Sequence, residues 1–419
     1  MRQPDPDHGG EGSNVTRPAQ MVRWRRRTCS EYVPGLLLAG TVAGVVWSCG
    51  GSGARHDAFA VDTLANGRVV VSNPDPARSG TADAFRLVED LRIGAAVGAG
   101  THDPFVFGAI VSLAVDERGN IFVADSQWRE IRVFGPEGDF LHSIGGPGEG
   151  PGEFSTLGGA TFVQATGVLW TLDYRSRKIT AFDRDGRFLA DHAYGERSLN
   201  AETVWRAHAD TTGHLYRRDP DSGFDHLLRH ATSEHGGLLL SDSLLLPVID
   251  VRLHSSEYEF GMASSPVPMS PELHWAVGPD GGVWLGRSDT FRIHKVALSG
   301  DTVRTVELLR APELLQGRER DSVAAAAGLS SGMLPRHKPV MGIIAVAPNS
   351  WLWVAVAEED HLQAWDLFDD AGRYRGRATS PEPMALTPTP LVAADVVLGV
   401  VEDEFGGQSI VRLRVLPTS

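Results

Sequence analysis

A pattern of apolar and polar positions recurs in the middle of this chain without a gap. Residues 119–141, GNIFVADSQWREIRVFGPEGDFL, return 48 residues later as residues 167–189, GVLWTLDYRSRKITAFDRDGRFL. Each copy alternates short apolar segments with polar turns, which predicts consecutive antiparallel strands joined by tight turns. Strand units that repeat at intervals of about 40 to 50 residues are typical of propeller blades.

Weaker copies of the unit flank these two. They begin near Gly67, Gly213, Gly282, Ser350 and Asp395, so that seven starts are visible. The first and last copies are incomplete, and we expect residues 59–73 and 396–415 to supply two strands each to one shared blade. Closure by both chain ends leaves no free sheet edge between the first and last blades. The sequence therefore predicts an all-β fold, a six-bladed β-propeller over residues 57–417, with seven blades as the alternative.

Two insertions interrupt the repeat. Residues 248–269 show no strand period throughout, and residues 312–327, PELLQGRERDSVAAAA, have the proline, early acids and late alanines of a short helix that stops at Gly328. Segments that break a repeat often carry function. We therefore expect residues 248–269 and 312–335 to form distinctive surface.

The N-terminal 48 residues have the pattern of an extension followed by a signal peptide. Residues 1–20 are polar and rich in Pro and Gly, so Met21 is an alternative start. Arginines at positions 23 and 25–27 precede an uncharged apolar run from Val33 to Trp47. A run of 15 residues is short for a membrane span, which needs about 20, and suits the apolar region of a signal peptide.

The end of that run, Val46-Trp47-Ser48-Cys49, resembles the lipobox of bacterial lipoproteins. The resemblance implies cleavage before Cys49 and attachment of lipid to it, with residues 49–56 as a flexible tether. Gly50 in place of Asp implies, by the same resemblance, an outer-membrane or cell-surface location. The predicted organisation is therefore residues 1–48 as extension and signal peptide, a tether at 49–56 and the propeller at 57–417.

Charge and cysteine content narrow the classes of partner and site. Residues 49–419 hold 33 Lys and Arg against 49 Asp and Glu, a net charge of −16. An acidic body argues against nucleic acid as a partner, because phosphate binding needs clustered Lys and Arg. The only cysteines, Cys29 and Cys49, precede the predicted propeller, so the propeller has neither an internal disulfide nor a thiolate metal site.

The best-defined unit also resembles a known repeat. Residues 123–140, VADSQWREIRVFGPEGDF, followed by Gly150-Pro151-Gly152-Glu153-Phe154, are similar to the NHL repeat of propeller proteins. Together with the lipobox, this makes the chain similar to exported six-bladed propeller lipoproteins of bacteria. The resemblance implies a fold and a role as a recognition surface, and it does not imply a reaction.

Polar residues follow the strands at repeated positions. Asn73, Asp125, Asp173 and Asp219 each come six residues after a glycine. They could converge on the central channel and bind a hard cation, or each could accept hydrogen bonds from the backbone of its own turn. Repetition favours the turns, because a catalytic site usually breaks the symmetry of a repeat.

Other candidate residues also have a structural interpretation. The cluster His226, His230 and His235 lacks a strand or helix signal, so a solvated loop is favoured over a zinc site. Tryptophans in the predicted strands are attributed to packing between blades rather than to a sugar platform; they are Trp170, Trp275, Trp284, Trp351 and Trp353.

These observations favour a binding role over catalysis. We expect an exported, lipid-anchored propeller that recognises a protein, peptide or glycan, with the membrane as a further partner through its lipid and with no cofactor. The alternative is a metal-dependent hydrolase or lyase, similar in shape to the lactonases, with its site in the central channel. Only under that alternative is Ca or Zn expected, and the metal-binding residues are unknown.

Overall fold

The computed structural model describes residues 59–76, 84–94, 100, 103–193, 207–219, 225–258, 261–357, 363–393 and 395–418. These residues belong to one compact unit that extends from Arg55 to Ser419. In this described part of the chain, no helix combines the length and apolar character that a membrane crossing requires.

The fold is a six-bladed β-propeller. Three strands precede the first complete blade: β1 (Ala60–Thr63), β2 (Val69–Asn73) and β3 (Phe85–Ile93). Blade 1 consists of β4 (Ile110–Val115), β5 (Ile121–Asp125), β6 (Glu130–Phe134) and β7 (Phe140–Gly145). Blade 2 consists of β8 (Leu157–Val163), β9 (Val168–Asp173), β10 (Lys178–Asp183) and β11 (Phe188–Ala193). Both are antiparallel sheets in chain order, so the strands predicted from the repeat are confirmed.

Blades 3 and 4 follow with a hairpin between them. Blade 3 consists of β12 (Ala207–Ala209), β13 (His214–Asp219), β14 (His226–Thr232) and β15 (Leu238–Leu245). The hairpin is β16 (Leu253–Tyr258) and β17 (Gly261–Pro266). Blade 4 consists of β18 (Leu273–Val277), β19 (Val283–Arg287), β20 (Arg292–Val296) and β21 (Thr302–Leu308). The expectation that residues 248–269 lack strands is therefore wrong, because β16 and β17 pair with each other in a separate two-stranded sheet.

The remaining elements complete the ring. The insertion after blade 4 holds helix α1 (Gly317–Ala326) and a 3₁₀ turn (Ser331–Met333). Blade 5 consists of β22 (Ile344–Val346), β23 (Leu352–Ala357), β24 (Gln363–Phe368) and β25 (Tyr374–Thr379). Blade 6 begins with β26 (Leu391–Val392), β27 (Val396–Glu402) and β28 (Gln408–Pro417). The predicted helical insertion is confirmed, although the helix begins five residues after Pro312.

The chain ends close the ring through β3, and the prediction that residues 59–73 do so is wrong. Strand β3 pairs antiparallel with β28, from Phe85 opposite Pro417 to Ile93 opposite Ile410, and forms the outer strand of blade 6. Residues 60–73 instead form a hairpin whose second strand pairs in parallel with β21 of blade 4. The local sequence pattern does not decide whether residues 60–73 or β3 supplies the closing strand. Only the long-range pairing decides which of them closes the sheet.

Apolar clusters fill the six junctions between neighbouring blades. Phe122 of blade 1 stacks on Phe162 of blade 2 with 5.4 Å between ring centroids. Trp170 lies in the cluster between blades 2 and 3, Trp284 between blades 4 and 5, and Trp353 between blades 5 and 6. Neighbouring blades thus pack mainly through apolar side chains, and the first strand of each blade is left to face the axis of the ring.

Candidate functional site

The first strands of all six blades surround a central channel with a volume of about 470 Å³. Residues from β4, β8, β12, β18, β22 and β26 line it, together with the turns that follow several of these strands. Ring closure creates the channel, because no single blade can enclose this space. It is the candidate functional site.

One side of the channel is apolar. Blades 5 and 6 contribute aliphatic side chains and prolines to it. The lining residues of this apolar wall are Ile343, Ile344, Ala345, Val346, Pro348, Pro388, Pro390, Leu391 and Val392. Thr389, between Pro388 and Pro390, adds one hydroxyl to this wall, and the aliphatic side chains and prolines around it suit an apolar group of a ligand.

The opposite side carries polar side chains from blades 2, 3 and 4. This polar wall contains Thr161 on β8, His208 on β12 and His274 on β18. The imidazole of His208 lies beside the indole of Trp275, with 4.6 Å between centroids and an angle of 60° between the ring planes. Trp275 therefore lines the channel in addition to packing between blades 3 and 4.

Hydrogen bonds join the inner strands of neighbouring blades along this side. The Ala160 N–H donates to Ser112 Oγ over 2.6 Å, which links blade 2 to blade 1. The Thr161 hydroxyl donates to the Ala207 carbonyl over 3.3 Å, which links blade 2 to blade 3. Gln164 Nε2 donates to the Val115 carbonyl over 2.7 Å. These contacts hold the strands at fixed spacing, so the polar wall is pre-formed.

Two buried carboxylates, Asp116 and Asp210, lie where first strands turn into second strands. Asp116 accepts hydrogen bonds from the N–H groups of Arg118 and Asn120. Asp210 accepts them from the N–H groups of Thr212 and His214 and from the Tyr216 hydroxyl. These bonds are internal to the turns. Both acids therefore shape the channel rather than present an unengaged charge to it.

The pKa values of Asp210 and Tyr216 follow from the same hydrogen bonds. Burial acts to raise the pKa of Asp210, but the hydrogen bonds from His214, Thr212 and Tyr216 outweigh it and lower the pKa below its ordinary value. Burial and the bond to this carboxylate raise the pKa of Tyr216. Asp210 is thus an anion at neutral pH and Tyr216 a neutral donor.

Two of the acids singled out by the sequence lie at the other ends of their blades. Asp125 ends β5 and accepts hydrogen bonds from the N–H groups of Gly108, Ala109 and Gln127 over 2.7 to 3.1 Å. Asp173 ends β9 and accepts bonds from the N–H groups of residues 155, 156 and 176 over 2.6 to 3.2 Å. Each carboxylate ties the end of the second strand to the segment that leads into the first strand of the same blade. Neither lines the channel.

Asn73 is not brought to the channel either. Asn73 Nδ2 donates to the Glu307 carbonyl over 3.1 Å and to the Gly372 carbonyl over 3.0 Å, while its Oδ1 accepts from the Tyr374 N–H over 2.8 Å. It therefore fastens the outer strand β2 to blades 4 and 5. Asp219 ends β13, and its side chain lies outside the described residues, as does Cys49.

The histidine cluster is not the solvated loop that was expected. His226 and His230 lie in β14, between β13 and β15, and only His235 is in the turn that follows. The segment HLLRHAT does not alternate apolar and polar residues, since His230 occupies a buried position, so the local pattern did not reveal the strand. Among the described residues, no group of three or more His, Cys, Asp or Glu side chains is arranged to hold a metal ion.

The channel-lining residues were missed because the repeat was recognised from its second strand onward. The signal was present in the sequence: an apolar segment precedes a polar turn of the type Asp-x-x-Gly. Examples are VSLAVDERG at 111–119 and RAHADTTG at 206–213. The segment before the aspartate becomes the inner strand, and the aspartate caps the turn.

A protein-family model described as a 6-bladed beta-propeller matches residues 99–207. The matched stretch includes blades 1 and 2. The six blades of this family agree with the six blades of the closed ring. Among curated proteins, no relative is found by sequence.

Solved structures with a similar chain path include bacterial proteins of low sequence identity. An exported protein of Bacteroides fragilis, described as putative in its name, is 13% identical, with 84% of this chain and 100% of that chain covered and a TM-score of 0.45. A member of a family of unknown function from Bacteroides vulgatus is 7% identical, with 80% and 99% covered and a TM-score of 0.43. The virginiamycin B lyase of Staphylococcus aureus is 11% identical, with 79% and 100% covered and a TM-score of 0.42. Likenesses at this level do not indicate a shared activity.

Proposed function

We propose that this protein is an exported, lipid-anchored binding module whose central channel receives an apolar group of a peptide or protein partner. The observation that carries the proposal is the lining of the channel, which combines the apolar wall of blades 5 and 6 with a few polar side chains. Export and anchoring at Cys49 rest on the N-terminal sequence pattern alone.

The size and polarity of the channel suit this role. Ligand pockets in proteins have volumes of about 300 to 1,000 Å³, lined mainly by apolar side chains with a few polar groups, and the volume of about 470 Å³ lies in that range. Full burial of one apolar side chain stabilises a complex by about 1.5 to 3 kcal/mol. A glycan fits less well, since its hydroxyls would lose water against the apolar wall without gaining partners.

The alternative, a metal-dependent hydrolase or lyase, is favoured by no observation on the described residues. Such an enzyme needs several side chains that are able to reach one metal ion or one reacting bond. Asp116 and Asp210, the acids that line the channel, accept hydrogen bonds from their own turns. We therefore propose binding without catalysis and without a cofactor.

The experiment that tests this proposal blocks the channel. N-phenylnaphthylamine, a neutral apolar dye that fluoresces when it leaves water, serves as the probe. Ala209 is a partly exposed lining residue, and Ala209→Phe should fill part of the space and weaken dye binding by roughly tenfold or more. Ala193→Phe, on the exposed end of the outer strand β11, adds the same ring away from the channel and should leave the affinity unchanged.

Circular dichroism and thermal unfolding establish that both variants fold. Equal dye affinity in the wild-type protein and a folded Ala209→Phe variant would overturn the proposed channel site. A stoichiometric metal that remains in the purified domain after dialysis would instead support the enzyme alternative.

A further inference from the structure

We propose that the channel selects apolar ligands that carry an ammonium group, and that the turns of blades 1, 2 and 3 recognise this group. The inference rests on the proposed function and names the ligand class of the same site. It follows from the charge of the channel lining and from the hydrogen-bonding groups that the lining offers to a ligand.

Histidine aside, the charged side chains of the described channel lining are carboxylates. Asp116 and Asp210 belong to the lining, and no Lys or Arg does. Hydrogen bonds from their own turns hold both carboxylates in place, but an N–H donor leaves the net charge of a carboxylate unchanged. Both acids are buried, so water screens their charges less than those of surface residues. They therefore attract a cation in the channel and repel an anion.

Acidic side chains also surround one mouth of the channel. The six turns that join a first strand to a second strand lie on one face of the ring, because the first strands all run in the same direction along its axis. The described residues of these turns include one basic side chain, Arg118, and five acidic ones: Asp116, Glu117, Asp210, Asp280 and Asp395. Glu117 and Asp280 form ion pairs with Arg184 and Lys295. With those partners counted, five acids stand against three bases, which leaves this mouth with a net negative charge.

Neutral side chains at the same mouth offer acceptors to a ligand. Gln164, in the turn of blade 2, donates through Nε2 to the Val115 carbonyl over 2.7 Å. Because the nitrogen faces that carbonyl, the amide oxygen is the acceptor that Gln164 offers. The Thr211 hydroxyl, in the turn of blade 3, donates to the Pro279 carbonyl over 2.7 Å and keeps lone pairs on its oxygen. Both side chains are exposed and line the channel. An ammonium group, which has three donors and no acceptor, matches these oxygens.

The acceptor side of the channel, formed by Asp116, Gln164, Asp210 and Thr211, lies across the ring from the apolar wall. Blades 1, 2 and 3 are consecutive, and blade 2 is opposite blade 5 in a ring of six. Blades 5 and 6 supply the apolar wall. One ligand can therefore pack its apolar body on this wall while its ammonium group faces the acceptor side. A carboxylate in the same position would lie near two like charges.

The test compares two dyes that share one apolar body. Dansylcadaverine carries an ammonium group, and its N-acetyl derivative is neutral. The wild-type protein should bind the cationic dye more tightly than the neutral dye by roughly tenfold. Asp210→Asn removes one negative charge, while its amide oxygen can still accept the N–H groups of residues 212 and 214. It should weaken binding of the cationic dye by roughly threefold to tenfold and that of the neutral dye by less than about twofold.

Asp183→Asn is the matched control. Asp183 accepts hydrogen bonds from the N–H groups two and four positions later, as Asp210 does, but it lies outside the channel lining. This variant changes the net charge by the same amount and should keep the wild-type preference for the cationic dye. An equal loss in the two variants would show that net charge alone attracts the cation, and the inference would be wrong. Gln164→Met, which removes the amide oxygen but keeps the length of the side chain, should also weaken the cationic dye selectively.

Thermal unfolding monitors folding of each variant. Equal affinity of the wild-type protein for the two dyes, or equal weakening of both in a folded Asp210→Asn variant, would contradict the ammonium inference. If the neutral dye is still lost in Ala209→Phe in that case, the proposed function stands and only this inference falls. Binding of both dyes that is unchanged in Ala209→Phe would remove the proposed function itself.

Competition identifies the source of the ammonium group. Phenethylamine represents a small organic amine, and a Phe-Ala-Ala amide peptide, with its amino terminus free or acetylated, represents the start of a polypeptide. Displacement of the cationic dye by the free peptide but not by the acetylated one supports recognition of a peptide N-terminus. Displacement by phenethylamine alone supports a small-molecule amine, and displacement by neither would contradict an ammonium site.

Discussion

At the scale of single residues, aspartate side chains stabilise many of the turns by accepting hydrogen bonds from the backbone. Asp116, Asp183, Asp369 and Asp403 each accept hydrogen bonds from the N–H groups two and four positions later in the chain. Each of these aspartates is followed three residues later by a glycine with positive φ. The carboxylates of these four aspartates thus fix the backbone of their own turns through hydrogen bonds.

His230 is a residue whose burial has a consequence for stability. It is 7% exposed in β14, and its Nε2 has no hydrogen-bond partner in the protein. Burial, reinforced by Arg217 on β13 and by His192 on β11, lowers the pKa of His230 to about 4. Since the pKa of an unfolded histidine is about 6.5, the unfolded chain takes up a proton first as the pH falls.

We therefore expect the free energy of unfolding to decrease as the pH falls from about 6.5 to about 4, by up to about 3 kcal/mol from this residue. His230→Phe cannot take up a proton, so it should flatten this dependence. Urea unfolding at several pH values in this window measures the slope. His235→Gln, at a position whose side chain is 87% exposed, is the matched control and should keep the wild-type slope. A wild-type slope in His230→Phe would show that other groups cause the acid sensitivity.

At the scale of elements, one contact recurs between blades. The turn between the third and fourth strands of a blade packs its glycine against the outer strand of the preceding blade. A Cβ atom added at Gly186 would lie 2.6 Å from Ile144, and one at Gly372 would lie 2.7 Å from Val306. Blade 4 departs from this pattern, because a Cβ at Gly300 would meet nothing within 4 Å.

Comparing Gly300 with Gly372 separates two costs of replacing a glycine by alanine: the strain of the backbone conformation and the overpacking of the added methyl group. Gly300 and Gly372 have nearly the same backbone angle, with φ of 90° and 85°. Gly300→Ala should destabilise the fold by about 1 to 2 kcal/mol, which is the cost of the left-handed backbone for a residue with a Cβ. Gly372→Ala should cost a further 1 to 3 kcal/mol or so from overpacking against Val306.

Urea unfolding of both variants against the wild-type protein checks this pair of expectations. Equal losses of stability would mean that the junction between blades 4 and 5 relaxes around the added methyl group. In that case backbone conformation alone would account for the glycine.

The local sequence pattern predicts individual strands but does not predict which strand closes the ring. Residues 60–73 form a hairpin, as their apolar character suggests, yet it lies on blade 4 and leaves the closing position to β3. Strand β25 of blade 5 also meets the start of β3 in a short parallel pairing. The N-terminal strands therefore contact the outer edges of blades 4, 5 and 6.

At the scale of the whole molecule, the N-terminal pattern makes a prediction about location. If Cys49 carries a lipid, Cys49→Ser should move the protein from the membrane fraction to the soluble fraction, because the propeller keeps no covalent anchor. Cys29→Ser, which changes the other cysteine, should leave the protein in the membrane fraction. Immunoblots of fractionated cells measure the distribution. Unchanged partitioning of Cys49→Ser would refute anchoring through that residue.

Repetition let the sequence by itself determine the class of fold and the blade unit, and it favoured six blades over seven. An apolar segment, a polar turn and a second apolar segment specify an antiparallel hairpin wherever they occur, since the signal lies within about 25 neighbouring residues. The helix after blade 4 was predictable for the same reason, because its start, composition and stop are local.

Only the tertiary structure decided which strand closes the ring and which side chains meet at the axis. Strand β3 pairs with β28 across more than 300 residues of sequence, and no local pattern distinguishes it from the hairpin at residues 60–73. His208, His274 and Ile344 lie on three different blades, and they face one channel only because six sheets pack around a common axis. Contacts of this kind depend on the sum of all the junctions between blades, and the sequence of any one blade does not contain them.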